Sequence, residues 1–219
     1  MSIAVVNKNA KRGSTVKLEA ESTSVPSPSS AKVAPRDRIV TTACELFRQH
    51  GIRGIGVDAI AEAASTNKMT LYRHFGSKDD LVCETLRVTS EKSDAMWADI
   101  ETRFPDDARA QLGAWVTALS DCLQRESFGC DIANAAVELK EANHPAHAVI
   151  ENFKILQRGK LTGLCRRTGT KEPETLADTL LLLLEGARVS RQASGLEGPA
   201  QCFQRACRNT LNAFGIGTA

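Results

Sequence analysis

From Pro35 to the end of the chain, apolar residues return every three or four positions, and no sustained two-residue alternation interrupts them. A period near 3.6 marks helices with one buried face, whereas a half-buried strand needs a period of two. Ile39, Ala43, Leu46 and Phe47 fall at helical spacing, with Pro35 where a first turn tolerates it and Gly51 just past the last turn. Val57, Ile60, Ala61 and Ala64 repeat the pattern on a shorter segment, and Leu71 with Phe75 mark a still shorter one. Ser77-Lys-Asp-Asp80 has the form of a capping box, with Ser77 accepting from the N–H three residues on and Asp80 reaching back. A long helix is therefore expected from there to Arg103, ahead of Pro105. Four more stripes follow: Leu112, Trp115, Val116, Leu119 and Leu123; Val149, Phe153, Leu156 and Leu164; Leu176, Leu180, Leu183 and Ala187; and, after Gly198-Pro199, Phe203, Cys207, Thr210 and Phe214. The pattern predicts an all-α protein of about nine helices.

Residues 1–34 stand apart. They are rich in Ser, Thr, Lys and Ala, carry no apolar period, and read as a disordered arm. Charge divides the chain as well: residues 1–34 and 35–78 each carry a net +3, and the remainder a net −4. That asymmetry fits a chain of which one end meets a polyanion. The longest apolar run, Leu180 to Leu184, is far short of the ~20 residues a membrane span needs, so no membrane partner is expected. The amino-terminal apolar stretch breaks after Val6, too soon for a secretory signal, and the expected location is the cytoplasm.

Cofactor and metal motifs are weak. The seven cysteines form no CxxC pair, and neither a disulfide scaffold nor a zinc ribbon is indicated. They read as small buried apolar groups in a reducing compartment. Gly51, Gly54 and Gly56 have the wrong spacing for a dinucleotide loop and follow a helix where that loop needs a strand. His144 and His147 stand at helical spacing without a convincing third ligand. No cofactor, metal or catalytic residue is expected.

Residues 57–75 carry the most specific pattern: a short apolar-faced helix, a polar break at Ser65-Thr66, Asn67 as a helix cap, and a second short helix. Leu71 and Phe75 must turn inward against Ile39, Phe47 and Ile60, which leaves Lys68, Met69, Thr70, Tyr72, Arg73 and His74 outward or at the rim. Cations, hydroxyls and an amphipathic aromatic on one short helix match what a phosphate backbone and a major groove require.

The run from Ile39 to Leu86, with its Thr70-Leu-Tyr-Arg-His-Phe75 and Ser77-Lys-Asp-Asp-Leu81 segments, resembles the amino-terminal domain of TetR/AcrR transcriptional regulators. The resemblance implies a helix-turn-helix domain over 35–82, whose third helix enters the major groove of double-stranded operator DNA, and a ligand-binding and dimerisation domain over 83–219. Lys68 and Arg73 are then the candidates for base edges; Thr70, Tyr72, His74 and Lys78 are the candidates for phosphates, with Met69 beside them. Two positions depart from the family pattern. Gly56 stands where a capping Ser or Thr is usual, and Ser65-Thr66-Asn67 replaces the usual Gly-Val-Ser of the turn.

The resemblance also implies a homodimer through the last two helices, about 174–193 and 199–214, and a small-molecule effector bound between the helices of about 100–165. Trp115, Leu119, Cys122, Phe128, Phe153 and Leu156 are the candidate walls, and their character favours a largely apolar molecule. The expected function is a ligand-responsive repressor released from a palindromic operator. The alternatives are a thiol redox sensor on the same DNA-binding head, or a Cys/His enzyme using Cys122 or Cys130 with His144 or His147.

Overall fold

The structure is a computed structural model that describes residues 34–125, 128–194 and 198–217. The expected arm therefore lies, but for Ala34, outside the described residues. Among these, nine helices and no strand are present: α1 Pro35–His50, α2 Val57–Ala63, α3 Lys68–Phe75, α4 Lys78–Arg103, α5 Ala108–Arg125, α6 Asp131–Glu138, α7 Ala146–Arg167, α8 Pro173–Ser194 and α9 Pro199–Ala213. None is long and apolar enough to cross a membrane.

Local chemistry sets the ends. Pro35 occupies the first turn of α1, and Gly51, at φ +77°, stops it with its N–H on the Phe47 carbonyl. Ser77 Oγ accepts from the Asp80 N–H at 3.0 Å and opens α4. The reciprocal half of the expected capping box takes another form: the Asp80 carboxylate accepts from the Ser77 hydroxyl at 2.6 Å, while the Ser77 N–H goes to the Phe75 carbonyl at 2.8 Å. With 26 residues, α4 runs about 39 Å at 1.5 Å per residue, so the expected 82/83 domain boundary falls inside it.

Two apolar cores lie along α4. The first joins Ile39, Phe47, Ile60, Leu71 and Phe75 of α1–α3 to Leu81 and Leu86 of α4, and also takes in Ile132, Ala135, Ile150 and Phe153 of α6 and α7. The second gathers Ile100, Leu112, Trp115, Leu164, Leu180, Phe203 and Cys207 from α4, α5 and α7–α9. Each fully buried aliphatic side chain, such as Ile39, Ile60, Leu71 or Leu81, contributes about 1.5–3 kcal/mol by leaving water. One expected stripe is corrected: on α7 the inward face holds Ile150, Phe153, Leu161 and Leu164, and Leu156 is exposed. At 100° per residue Leu156 points about a third of a turn away from the centre of that face. On α8, Leu184 is buried with Leu176 and Leu180, whereas the expected Leu183 is half-buried.

Candidate nucleic-acid interface and effector cavity

The turn between α2 and α3 is closed by backbone chemistry. The Ser65 N–H donates to the Glu62 carbonyl and the Thr66 N–H to the Ala61 carbonyl, both at 2.9 Å, a pair of bonds that requires a left-handed residue between them. Ser65 supplies it at φ +51°. Asn67 Oδ1 then accepts from the Thr70 N–H at 2.8 Å and starts α3. Gly56, at the head of α2, offers no side-chain cap.

On α3, Leu71 and Phe75 are buried, and the opposite side is open. Lys68, Tyr72, Arg73 and His74 are exposed, Thr70 is half-buried, and Met69 is 82% exposed. A methionine so displayed on a helix of eight residues is available for apolar contact, such as the methyl of a thymine. Lys68 Nζ meets Asp58 Oδ2 at 3.0 Å, and this hydrogen bond and charge push the ammonium above its ordinary pKa. The pair is exposed, so a phosphate can take the place of Asp58 at little cost. Lys78 is placed otherwise: its Nζ donates to the Ile52 carbonyl at 2.6 Å and lies 6.0 Å from the Phe47 ring centre. Within the described state its ammonium steadies the α1–α2 loop.

The residues joining this head to α6 were missed in the sequence. Asp131, the first residue of α6, accepts from Arg48 Nε at 3.0 Å and Nη2 at 2.7 Å, and from the Thr89 hydroxyl at 3.1 Å. Glu138, its last, accepts from the backbone N–H groups of Ile52 at 2.9 Å and Arg53 at 2.6 Å. Beyond it Glu141 pairs with Arg53, and His144 Nε2 lies 3.4 Å from Asp79 Oδ1. A β-carbon on Gly51 would sit 3.0 Å from Glu138 Oε1, so the glycine also makes room for this carboxylate. Such partners lie far apart in the chain and have no local signature; an acid at each end of a short helix is ordinary by itself.

Between α4, α5, α7 and α8 lies a cavity of about 170 Å³. Of the six expected wall residues it brings together Trp115, Leu119 and Phe153. Cys122 lines a smaller adjoining recess, and Phe128 and Leu156 are exposed and border neither space. Among those missed were Trp97, Lys154, Gln157, Glu185 and Arg188, the last two because α8 folds back over the bundle. His144 and His147 do not converge on a thiol: His144 Nδ1 accepts from the Ala146 N–H at 3.1 Å, and the His147 ring meets the Glu141 carbonyl at 2.9 Å. Among the described residues no three His, Cys, Asp or Glu gather as a metal site.

The fold and its exposed α3 thus define a protein with a helix-turn-helix head on an all-helical body. Residues 39–85 match the family described as bacterial regulatory proteins, tetR family. Over 96 residues the chain is 32% identical to the transcriptional activator FasR of Mycolicibacterium smegmatis, covering 43% of this chain and 42% of that one. It is 35% identical to the transcriptional repressor KstR2 of Rhodococcus jostii over 52% of this chain and 55% of the relative, and 23% identical to the regulator YjdC of Escherichia coli over 69% and 80%. A solved TetR-family regulator from Streptomyces coelicolor superposes with a TM-score of 0.77 at 25% identity, covering 82% of this chain and 95% of that one. The family match over residues 39–85, these relatives and the solved structure all support a TetR/AcrR family transcriptional regulator. The chain spans about half the length or less of FasR and KstR2, and more of YjdC.

Proposed function

We propose that this chain is a homodimeric, ligand-responsive regulator of transcription acting in the cytoplasm. It has an arm (1–34), a DNA-reading head (35–82) and an effector and dimerisation body (83–219). The observation that carries the DNA reading is the open side of α3, where Lys68, Met69, Tyr72 and Arg73 stand exposed over a fully buried Leu71. Lys68 and Arg73 read base edges, and Thr70, Tyr72 and His74 hold phosphates. Lys78, with one ammonium hydrogen on the Ile52 carbonyl, keeps two donors for a phosphate.

Two copies are needed to read a palindrome with heads one turn apart, ~34 Å. The body offers a face for this pairing: Leu182 and Val189 of α8 are 72% and 65% exposed, beside a groove that continues onto Pro199, Cys202 and Ala206 of α9. An apolar, self-complementary patch is what a two-fold contact uses. For ligand response, the supporting residue is Phe153, which lines the cavity and also belongs to the core of the head. A molecule in the cavity acts on the head only as far as it prefers one arrangement of Phe153, α4 and α6 over another.

Release on effector binding makes the protein a repressor. The reading is tested by footprinting the purified chain on the DNA beside its own gene. Protection of a near-palindrome that fades steeply with salt is the expected result. Monomers retained on any duplex irrespective of salt or sequence overturn it. One observation keeps a second reading in view: Cys202 is exposed, with Arg205 Nη2 3.3 Å from its sulfur. If mild peroxide, and no small molecule, frees the operator as Cys202 is oxidised, the protein is a thiol sensor.

A further inference from the structure

Both tryptophans of the chain, Trp97 and Trp115, border the cavity. Their rings stack with centroids 6.4 Å apart and planes at 30°. Trp97 is held in place by its Nε1–H, which donates to Gln157 Oε1 at 2.8 Å, and Phe153 adds a third ring to the lining. Flat aromatic walls favour a flat apolar body. A cavity of about 150 Å³ accommodates benzene, so the 170 Å³ here suits one ring with a short substituent.

The charges at the same site are unbalanced. Lys154 and Arg188 both donate to one oxygen of Glu185, Oε1, the latter at 3.2 Å. Leu119, Leu184 and Arg188 are shared with the adjoining recess, whose far side holds Arg191. That guanidinium is 4% exposed, and it donates to the main-chain carbonyls of Leu123 at 2.6 Å and Gln124 at 3.4 Å. Among the described residues no carboxylate pairs with it. Arginine does not shed its charge on burial, and in a medium of low dielectric its field is felt well beyond contact distance. Among the described residues two cations, Lys154 and Arg188, therefore share a single carboxylate at the apolar chamber, with Arg191 in the adjoining recess.

Taking this cavity as the effector site, we infer that the effector is a small aromatic carboxylate. Its ring lies against Trp97, Trp115 and Phe153, and its carboxylate takes the place of Glu185 on Arg188, leaving Glu185 to Lys154. A fork of parallel N–H groups suits a carboxylate in a way that it does not suit an amide. The largely apolar molecule expected from the sequence thus gains one negative charge, because Lys154 of α7 and Arg188 of α8 meet only in three dimensions.

The test titrates the purified full-length chain with 3-phenylpropanoate and with its neutral isostere 3-phenylpropanamide, reading tryptophan emission. Since both tryptophans border the cavity, the whole signal arises there. The acid is expected to bind about tenfold or more tighter than the amide. Arg188→Gln is expected to erase that difference while leaving the amide unchanged. Glu185→Gln, which removes the competing carboxylate, is expected to tighten the acid several-fold without affecting the amide, and it decides the sign even if Arg188→Gln fails to fold. Equal binding of acid and amide to the unmodified chain, or an acid preference that survives Arg188→Gln, overturns the anionic assignment and leaves the cavity as effector site. No response of tryptophan emission or operator retention to either compound up to about 10 mM overturns the cavity reading and the inference together.

Discussion

Ser65 holds a backbone conformation that costs a side chain of its kind about 1 kcal/mol, because the two hydrogen bonds that end α2 need φ near +51° there. Ser65→Gly is expected to raise stability by up to about 1 kcal/mol, and Ser65→Val to lower it by at least as much. Urea midpoints at unchanged slope would show both. The thiols differ just as sharply with position. Burial pushes Cys165 and Cys207 up to about 12 and also raises Cys44 and Cys83, whereas Cys202 is exposed. At pH 8 a thiol of pKa 12 is thiolate for about one part in ten thousand. Iodoacetamide is therefore expected to reach Cys165 and Cys207 only after denaturant is added, whereas Cys202 is expected to react first once the α8–α9 face is freed, as in a Leu182→Glu/Val189→Glu double variant, read by peptide mass. The sequence reading of the cysteines as buried apolar groups fits Cys83, Cys130, Cys165 and Cys207. It fails at Cys202, which sits on the outer side of α9, since burial depends on the helix face and not on residue type.

Helix ends were legible wherever the signal is local. Pro35, Gly51, Asn67 and Ser77 mark their boundaries through one hydrogen bond or one dihedral each. Helix α6 was not located, because eight residues with only Ile132 and Ala135 buried are too few to show a period. It is nevertheless the element that ties body to head. Asp131→Asn removes the charge from the group that takes two hydrogen bonds from Arg48 and one from Thr89 and is expected to cost about 1–3 kcal/mol, with a measurable change in operator affinity; thermal unfolding beside a DNA titration would read both. A second clamp joins α1 to α4. Burial pushes the Glu84 carboxyl up, but hydrogen bonds and charge from Arg36 and Arg87 outweigh it and hold the group below its ordinary 4.5. A carboxylate lowered on folding stabilises the protein above its unfolded pKa and loses that contribution as pH falls through its folded one. Glu84→Gln is therefore expected to flatten the acid side of the stability curve below about pH 4.5, with little change in shape near neutrality, measured as unfolding free energy against pH.

At the scale of the whole molecule, pairing and reading depend on each other. Leu182→Glu combined with Val189→Glu is expected to yield monomers at micromolar concentration in sedimentation, and to lower operator affinity by about a hundredfold, because a tethered second head supplies most of the binding. The open side of α3 was visible in the sequence because a single helix carries it, whereas the effector chamber is assembled from four helices and ten of its thirteen lining residues were not. The core beneath α1–α3 also has a consequence for descent. Ile132, Ala135, Leu139, Ile150 and Phe153 extend that core from α6 and α7, so the reading end shares part of its apolar packing with the body. A chimera that grafts residues 35–82 onto a foreign trunk would part Phe47 and Ile52 from Ala135 and sever Arg48 from Asp131. New specificities in this lineage are then more readily acquired by substitution on the face of α3 than by exchange of the whole reading end.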